Sequence, residues 1–452
     1  MFKAAQKKLI DPSYLDKNWR ETNVPEMKAY FGLNILFGAI PLHRVRHYWS
    51  KNPYLGNDGV KNVMPVRRFE KLTSYLHISG RNMEIGKGND GYDKLAKVRP
   101  VIKSLLMSFP KYMHPSKCQA IDEGMIAFKG RVSYLQYNKA KPIKRGIKAF
   151  LRCESRTGYL YQFEIYLGKA EQKPTVTGVY FDVITRLTRS LIFNNHHIFF
   201  DNLYTSVPLS QYLLDNGIYS CGTLRANRKY MPSDVRKPCR KLTRGELIMY
   251  QDLTTPNMTV CAWQDTKLVR FLSTLSQPDI VVNTPRRVGR NYMNVPIPSS
   301  GSQYNLHMAG CDIADSLRRQ YRSGRFSKKV WKYLLWFLVD VAGVNAWLLY
   351  QKATKRKLTN KNYDHIDFVL ELGTELVGGY TSRIRTASGK IFVGNVNNLN
   401  SHENVHLGPK RARRCYHHGT FMPNGKKIYQ TVFGCEICNV NLCKMCHADF
   451  HK

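Results

Sequence analysis

Two groups of residues in this 452-residue chain have types and spacings suited to chemistry. The first closes the sequence: Cys415-Tyr-His417-His418, Cys435-Glu-Ile-Cys438, Cys443-Lys-Met-Cys446-His447 and His451. Two Cys-x2-Cys pairs beside a Cys-x2-His pair are zinc-ligand spacings, since thiolate and imidazole suit a borderline-soft ion. So short a unit cannot bury enough apolar surface to fold alone, and bound Zn²⁺ would supply the folding energy. Eight ligand positions at four per ion predict about two Zn²⁺. Cys435, Cys438, Cys443 and Cys446 are the leading ligands and Cys415 with His418 the next pair. His451 closes the set, and His417 and His447 compete for places. Disulfides are the alternative. The start, Met1-Phe-Lys-Ala-Ala-Gln-Lys-Lys, has no apolar secretory core, and the other six cysteines stand singly, so reduced metal-binding thiols are expected.

The second group is three aspartates. Asp122 and Asp201 each follow a short apolar run, Gln119-Ala-Ile and His197-Ile-Phe-Phe, and Asp312 sits in a helical pattern with Asp315 one turn on. Phosphodiester chemistry needs such a set. Two Mg²⁺ ions held by carboxylates can activate an attacking water or 3′-hydroxyl and stabilise the leaving oxygen. Mg²⁺ prefers hard oxygen donors and keeps several waters, so a few carboxylates suffice. Taken singly, each aspartate is equally a turn residue, a cap or a helix first-turn acid.

The elements that must position these residues fall into three stretches. Up to about residue 115 the pattern is helical, with starts at Pro25, Val66 and Asp93. Strand-length runs follow at Gln119–Glu123, Gly124–Phe128, Gly146–Cys153 and Tyr159–Leu167. A helix is expected near 176–188, a strand at His196–Phe200, a helix at Pro208–Gly217 and a strand at Tyr219–Leu224. This is a mixed α/β core. Residues 228–300 break the alternation with β-like runs and read as an insertion, and helix resumes from Tyr304. The apolar stretch Val330–Tyr350 carries Lys332, Asp340 and Asn345, so it reads as a buried core helix and no membrane segment is expected.

Seventy Lys and Arg oppose 32 Asp and Glu, a formal net charge of +38. That excess points to a large polyanion, and nucleic acid is the first candidate. Lys129, Arg131, Lys141, Lys144, Arg145 and Lys148 cluster near Asp122 and are the expected phosphate contacts, with Phe128, Tyr134 and Tyr137 available to pack or to stack on bases.

The blocks Ile121-Asp-Glu-Gly-Met-Ile-Ala-Phe-Lys-Gly-Arg131, Phe200-Asp-Asn-Leu-Tyr-Thr-Ser206 and Gly310-Cys-Asp-Ile-Ala-Asp315 resemble the three catalytic blocks of the piggyBac transposase family. Lys141-Pro-Ile-Lys-Arg-Gly-Ile-Lys148 and Lys328-Lys-Val-Trp-Lys-Tyr333 resemble two further family blocks. Ser316 departs from the family pattern, which has Gln after the fourth acid. The resemblance implies a ribonuclease-H-like core whose Asp122, Asp201 and Asp312 bind catalytic Mg²⁺, with Asp315 a fourth acid nearby. It implies cut-and-paste transposition of double-stranded DNA through hairpin intermediates at TTAA targets, by a homodimer in the nucleus. A domesticated, non-transposing DNA-binding protein is the alternative. The implied order is a helical dimerisation and DNA-binding domain at 1–116 and 322–395, and a catalytic core at 117–227 and 301–321 interrupted by the insertion at 228–300. A linker at 396–409 then leads to a zinc-binding, end-recognising domain at 410–452.

Overall fold

The computed structural model of the chain describes residues 16, 19–80, 84–139, 141–168, 177–275, 280–324, 327–354, 363–382, 384–385 and 391–392. Near the C-terminus it describes 404–407, 413–417, 430–435, 440–443, 446–447 and 450. Two compact units share the chain. Residues 1–77 with 363–452 form one, and 78–362 form the other.

In the first unit, α1 (Val24–Ala39) starts where expected. Asn23 caps it, its side chain accepting from the Glu26 amide at 2.8 Å, and Pro25 lies in the first turn. Helices α2 (Asp58–Val63) and α3 (Val66–Tyr75) follow. Arg68 of α3 donates to Glu26 at 2.8 Å, and both are buried.

The second unit opens with α4 (Arg99–Tyr112) and is built on one mixed sheet. Its strands are β1 (Cys118–Ala127), β2 (Leu135–Tyr137), β3 (Arg145–Glu154) and β4 (Leu160–Ile165). After α5 (Val179–Thr188) come β5 (His197–Phe200), α6 (Val207–Asp215) and β6 (Tyr219–Thr223). The short helix α7 (Ser233–Arg236) leads to β7 (Leu247–Gln251), β8 (Thr259–Gln264) and β9 (Leu268–Ser273). The strand order is β2-β3-β1-β5-β6-β9-β8-β7, with β4 also on β3. β1 runs antiparallel to β3 and parallel to β5, and β5 runs parallel to β6.

Alternation along the strands decides which face each residue serves. Ile121, Phe150, Ile198 and Phe200 are buried with Val183, Ile184 and Leu187 of α5 and Leu209 and Leu213 of α6. Each such side chain contributes about 1.5–3 kcal/mol by burial. On the opposite face Phe199 joins Cys221, Trp263 and Phe271 with Tyr304 of α8 (Ser299–His307). The helix α9 (Gly310–Gln320) follows α8 directly.

Several boundaries differ from the sequence expectation. Gln119–Phe128 is one strand to Ala127, because it pairs with β3 along its length. The insertion is not a separate β module, since β7, β8 and β9 extend the central sheet through β6. Of its described strands, only the ribbon of β10 (Val281–Val288) and β11 (Asn291–Pro298) stands apart from that sheet. The helical run from Tyr304 breaks into two helices at Met308–Ala309. Helix α4 and the long helix α10 (Val330–Ala353) belong to the sheet-bearing unit and not to the unit of the terminal helices.

Helix α10 is long and apolar enough to cross a membrane by length and composition. Its polar residues are nevertheless engaged inside the protein: Asn345 accepts from the Leu160 amide at 2.9 Å and donates to the Leu160 carbonyl at 2.8 Å, and Asp340 accepts from the Ser323 amide at 3.0 Å. The last long helix, α11 (His365–Val377), packs on α1, and a Cβ on Gly32 would lie 2.6 Å from the Gly373 carbonyl oxygen.

Candidate active site and metal centre

The register between β1 and β5 decides the relation of the first two acids. Cys118 pairs with His197, and the pairing runs to Ile121 with Phe200. One step further along both strands come Asp122 and Asp201. Neighbouring parallel strands lie about 4.8 Å apart, so residues at matching positions project side by side. Period-two alternation sets Asp122 with Ala120, and Asp201 with Phe199, on the face covered by α8 and α9. The Asp201 carboxylate accepts from the Leu203 amide at 2.8 Å, and its carbonyl accepts from the Thr205 hydroxyl at 2.8 Å. Arg228 donates to the carbonyls of Asn202 and Leu203 at 3.0 and 2.7 Å, and Arg225 to the Asn202 side chain at 2.8 Å. These two arginines fix the loop after Asp201 from more than twenty residues away, and no local sequence signal announces them.

Asp312 reaches this face because α9 sits very close to the sheet. The Cys311 thiol donates to the carbonyls of Ala120 and Leu151, each at 3.4 Å. A Cβ on Gly310 would lie 2.5 Å from the Glu154 carbonyl oxygen. Gly158, at φ +81°, would place a Cβ 2.7 Å from the Ala314 amide. Glycine is required at both positions for the helix to approach. Asp315, one turn on from Asp312, accepts from Arg318 at 2.9 Å, and the same guanidinium donates to the Met125 carbonyl at 3.2 Å. Asp315 is therefore tied to Arg318, which is buried.

The acids feel one another. Burial raises the Asp201 pKa, and the charge of Asp122 adds to it against the Leu203 bond, Lys141 and Arg225. Burial also raises Asp312, with Asp122 and Asp315 adding to it and Lys141 and Arg319 opposing. Lys141 answers this negative field. Its ammonium lies 2.6 Å from the Asp122 carboxylate. Burial pulls its pKa down, but Asp122, Glu123 and Asp312 outweigh that, and the net shift is upward. Lys141 was expected to meet phosphate and is instead the acids' counter-ion.

The site suits Mg²⁺ by donor type. It offers hard carboxylate oxygens, mutual repulsion that a dication would relieve, and a place where a cation is already drawn. Among the described residues, no three carboxylate or imidazole donors lie within 4.8 Å of one another. Lys141 holds one of the acids in that spread arrangement.

Glu123, absent from the expected site, lies behind Asp122. The strand alternation turns it to the opposite face, where burial, and then the Asp122 carboxylate, push its pKa up to about 7. Lys148 lies 3.9 Å from it, with its ammonium 4.5, 5.1 and 5.3 Å from the ring centres of Phe150, Tyr166 and Tyr180. Lys148 was also expected on the DNA surface, but only 15% of its side chain is exposed. Such cation–π cages stabilise a partly desolvated ammonium. The remaining expected phosphate contacts, Lys129, Arg131, Lys144 and Arg145, are exposed. Phe128 and Tyr134 are buried, whereas Tyr137 is 70% exposed.

At the C-terminal end, Cys415, Cys443 and Cys446 bring their sulfurs within 4.8 Å of one another. The Cys443 amide donates to the Cys415 sulfur at 3.3 Å. Burial, with the neighbouring thiols, pushes Cys446 up to about 12. Three crowded thiols of this kind are a fit for a soft cation, which would favour their thiolate forms. Spacing left the pairing open, and the group that forms joins Cys415 with Cys443 and Cys446, without Cys435. Cys435 lies on the strand Phe433–Cys435, which pairs with Asn404–His406 and Val440–Asn441. The module thus reaches back into the expected linker. His418, Cys438 and His451 lie outside the described residues. His417 and His447 are half-buried.

Residues 3–347 match the family model of Transposase IS4. The chain belongs to that family. The likeness to piggyBac transposases read from the motif blocks is borne out. Human PiggyBac transposable element-derived protein 2 is 29% identical over 333 residues, which cover 72% of this chain and 55% of that protein. Human PiggyBac transposable element-derived protein 5 is 27% identical over 381 residues, covering 80% and 69%. This transposase-family chain thus spans little more than half the length of the first of these relatives. Its fold is similar to that of a piggyBac transposase in a synaptic complex with hairpin DNA, with a TM-score of 0.68 at 21% identity over 83% of this chain and 76% of that one.

Proposed function

We propose that this chain is a cut-and-paste DNA transposase in which Asp122, Asp201 and Asp312 hold Mg²⁺ for strand cleavage and strand transfer. The observation that carries the reading is the β1–β5 register, which makes Asp122 and Asp201 successors of the last paired residues, Ile121 and Phe200, on the face that α9 covers. We read the sheet as a ribonuclease-H-like core, supported by two acids on adjacent parallel strands and a third on a packed helix. Bound there, Mg²⁺ would supply charge stabilisation at phosphorus and a more acidic water. The chain's own residues do the rest. The Leu203 amide orients Asp201, Arg228 anchors its loop, and Lys141 neutralises Asp122 until a metal takes its place. Exposed Lys129, Arg131, Lys144 and Arg145 would take phosphates, which position a strand without reading its sequence.

The family likeness supports the finer steps: hairpin intermediates, TTAA targets, a homodimer and action in the nucleus. It also supports Cys415, Cys443 and Cys446 as part of a zinc-folded module that recognises transposon ends, with about two Zn²⁺ when the ligands outside the described residues are added. A second reading, a DNA-binding protein without transposition, is favoured by the names of the human relatives, which call them element-derived. Excision from a plasmid bearing matched ends separates the two. Metal-dependent release of the insert supports the transposase. Binding of the ends with no nick at any Mg²⁺ or Mn²⁺ concentration supports the second reading.

A further inference from the structure

The ribbon β10–β11 has an unusual division of labour. Its base is anchored: Val295 and Ile297 are buried with Trp263, whose indole donates to the Pro296 carbonyl at 2.7 Å. Arg286 turns towards the body, 3.5 Å from Asp265 and with its guanidinium over the Trp263 ring at 5.7 Å. Beyond Arg286 the ribbon leaves the core. Arg287, Gly289, Arg290, Asn291, Tyr292, Met293 and Asn294 are all exposed. Tyr292 is 72% exposed and stands directly across from Arg287. Arg287 donates to the Gly289 carbonyl at 3.0 Å, within the ribbon's own turn. That turn has Gly289 at φ +62° in its first position, followed by Arg290, as a tight two-residue hairpin turn requires.

A two-stranded ribbon with both faces in water is marginal by itself. Here the exposed end carries two arginines and an aromatic residue, and no acidic residue occurs from Ile280 to Pro298. Two strands about 4.8 Å apart with their side chains match the duplex major groove, which is about 12 Å wide and admits a β-ribbon. Arginine and tyrosine at such an end suit phosphate, base edge and sugar. Pro298 runs directly into α8, and α9 with Asp312 follows, so the ribbon and one of the acids belong to one continuous segment.

We propose that β10–β11 is a DNA-groove element in which Arg287, Arg290 and Tyr292 touch the duplex. The proposal rests on the transposase reading for its DNA substrate and adds a second anchorage, distinct from the basic residues around Asp122. The test uses the full chain with a random-sequence duplex. Replacing both arginines (Arg287→Ala with Arg290→Ala) leaves the fold intact, because both are exposed. The slope of log affinity against log salt should become shallower by about 2, one unit for each phosphate that is no longer neutralised. Independently, Tyr292→Trp should add an emission that duplex quenches. An unchanged slope and an unquenched tryptophan, in a chain that still binds and cleaves DNA, overturn the ribbon proposal alone. Equal quenching by polyglutamate overturns the choice of DNA as partner. No duplex binding by the unaltered chain overturns the proposal together with the transposase reading.

Discussion

At the scale of single residues, the acids place mutually repelling charge near one another, and the Lys141 ammonium answers that of Asp122. Asp201 is oriented by its own loop and does not depend on Lys141 for its place. Asp201→Asn should therefore keep the fold and DNA affinity while strand cleavage falls by at least about a hundredfold, since a metal ligand matters no less than its outer-shell partners. Nicking of an end-bearing duplex measures it, and wild-type rates would sink the assignment. Lys141→Gln removes the ammonium 2.6 Å from Asp122. In chelator the variant should lose about 1–2 kcal/mol, because the half-buried acids lose their counter-charge. Added Mg²⁺ should then stabilise the variant more than the parent. Melting curves with and without metal decide this, and equal Mg²⁺ responses would show that Lys141 and metal do not compete.

At the scale of elements, α10 carries its polar residues as fasteners. Asn345 satisfies both backbone groups of Leu160, so Asn345→Ala leaves a buried donor and acceptor unpaired and should cost about 2–4 kcal/mol. Urea midpoints of the two proteins give the value. Asp340 behaves differently. Burial pushes its pKa up to about 6, with the Ser323 bonds and then Arg318 and Arg322 opposing. The folded state then holds the proton more tightly than the unfolded chain. Stability is full below the ordinary aspartate pKa of about 4 and declines as pH rises through about 6. Asp340→Asn, neutral throughout, should be more stable than the parent near pH 8 by about 2–3 kcal/mol and no more stable near pH 4. Denaturation at the two pH values checks the sign.

The elements also mark what the sequence could tell. The runs ending at Phe200 and Thr223 and the helix between them were legible, because apolar strands bounded by Asp-Asn and Asn-Gly turns carry their own punctuation. Asp122, Asp201 and Asp312 were legible as candidates, yet their shared face follows from register, which no local pattern encodes. The break at Met308–Ala309 was hidden, since no proline or turn pair marks it locally, and the close approach of Gly310 to Glu154 just beyond it is a tertiary contact. The cage around Lys148 was hidden for a related reason: its rings come from β3, α5 and the turn after β4. Cysteine spacing marked candidate ligands but not which sulfurs meet.

At the scale of the whole molecule, the sulfur cluster and the acid site lie in different units, so they should respond separately to metal removal. The zinc content should be about two per chain, falling to about one in Cys443→Ser, with the melting of the sheet-bearing unit unchanged. Metal analysis alongside calorimetry measures both, and a chain without stoichiometric zinc would refute the module. The division of the chain carries one more consequence. Helix α1 buries Tyr30, Leu33 and Phe37 in a unit whose other long helix, α11, begins more than 300 residues later. A ribosome adding about 5–20 residues per second leaves α1 without that partner for tens of seconds. During that interval the sheet-bearing unit emerges and can fold, while α1 holds only the partners that follow it closely, Tyr48 and Phe69, and its Gly32 face stays in water until α11 arrives.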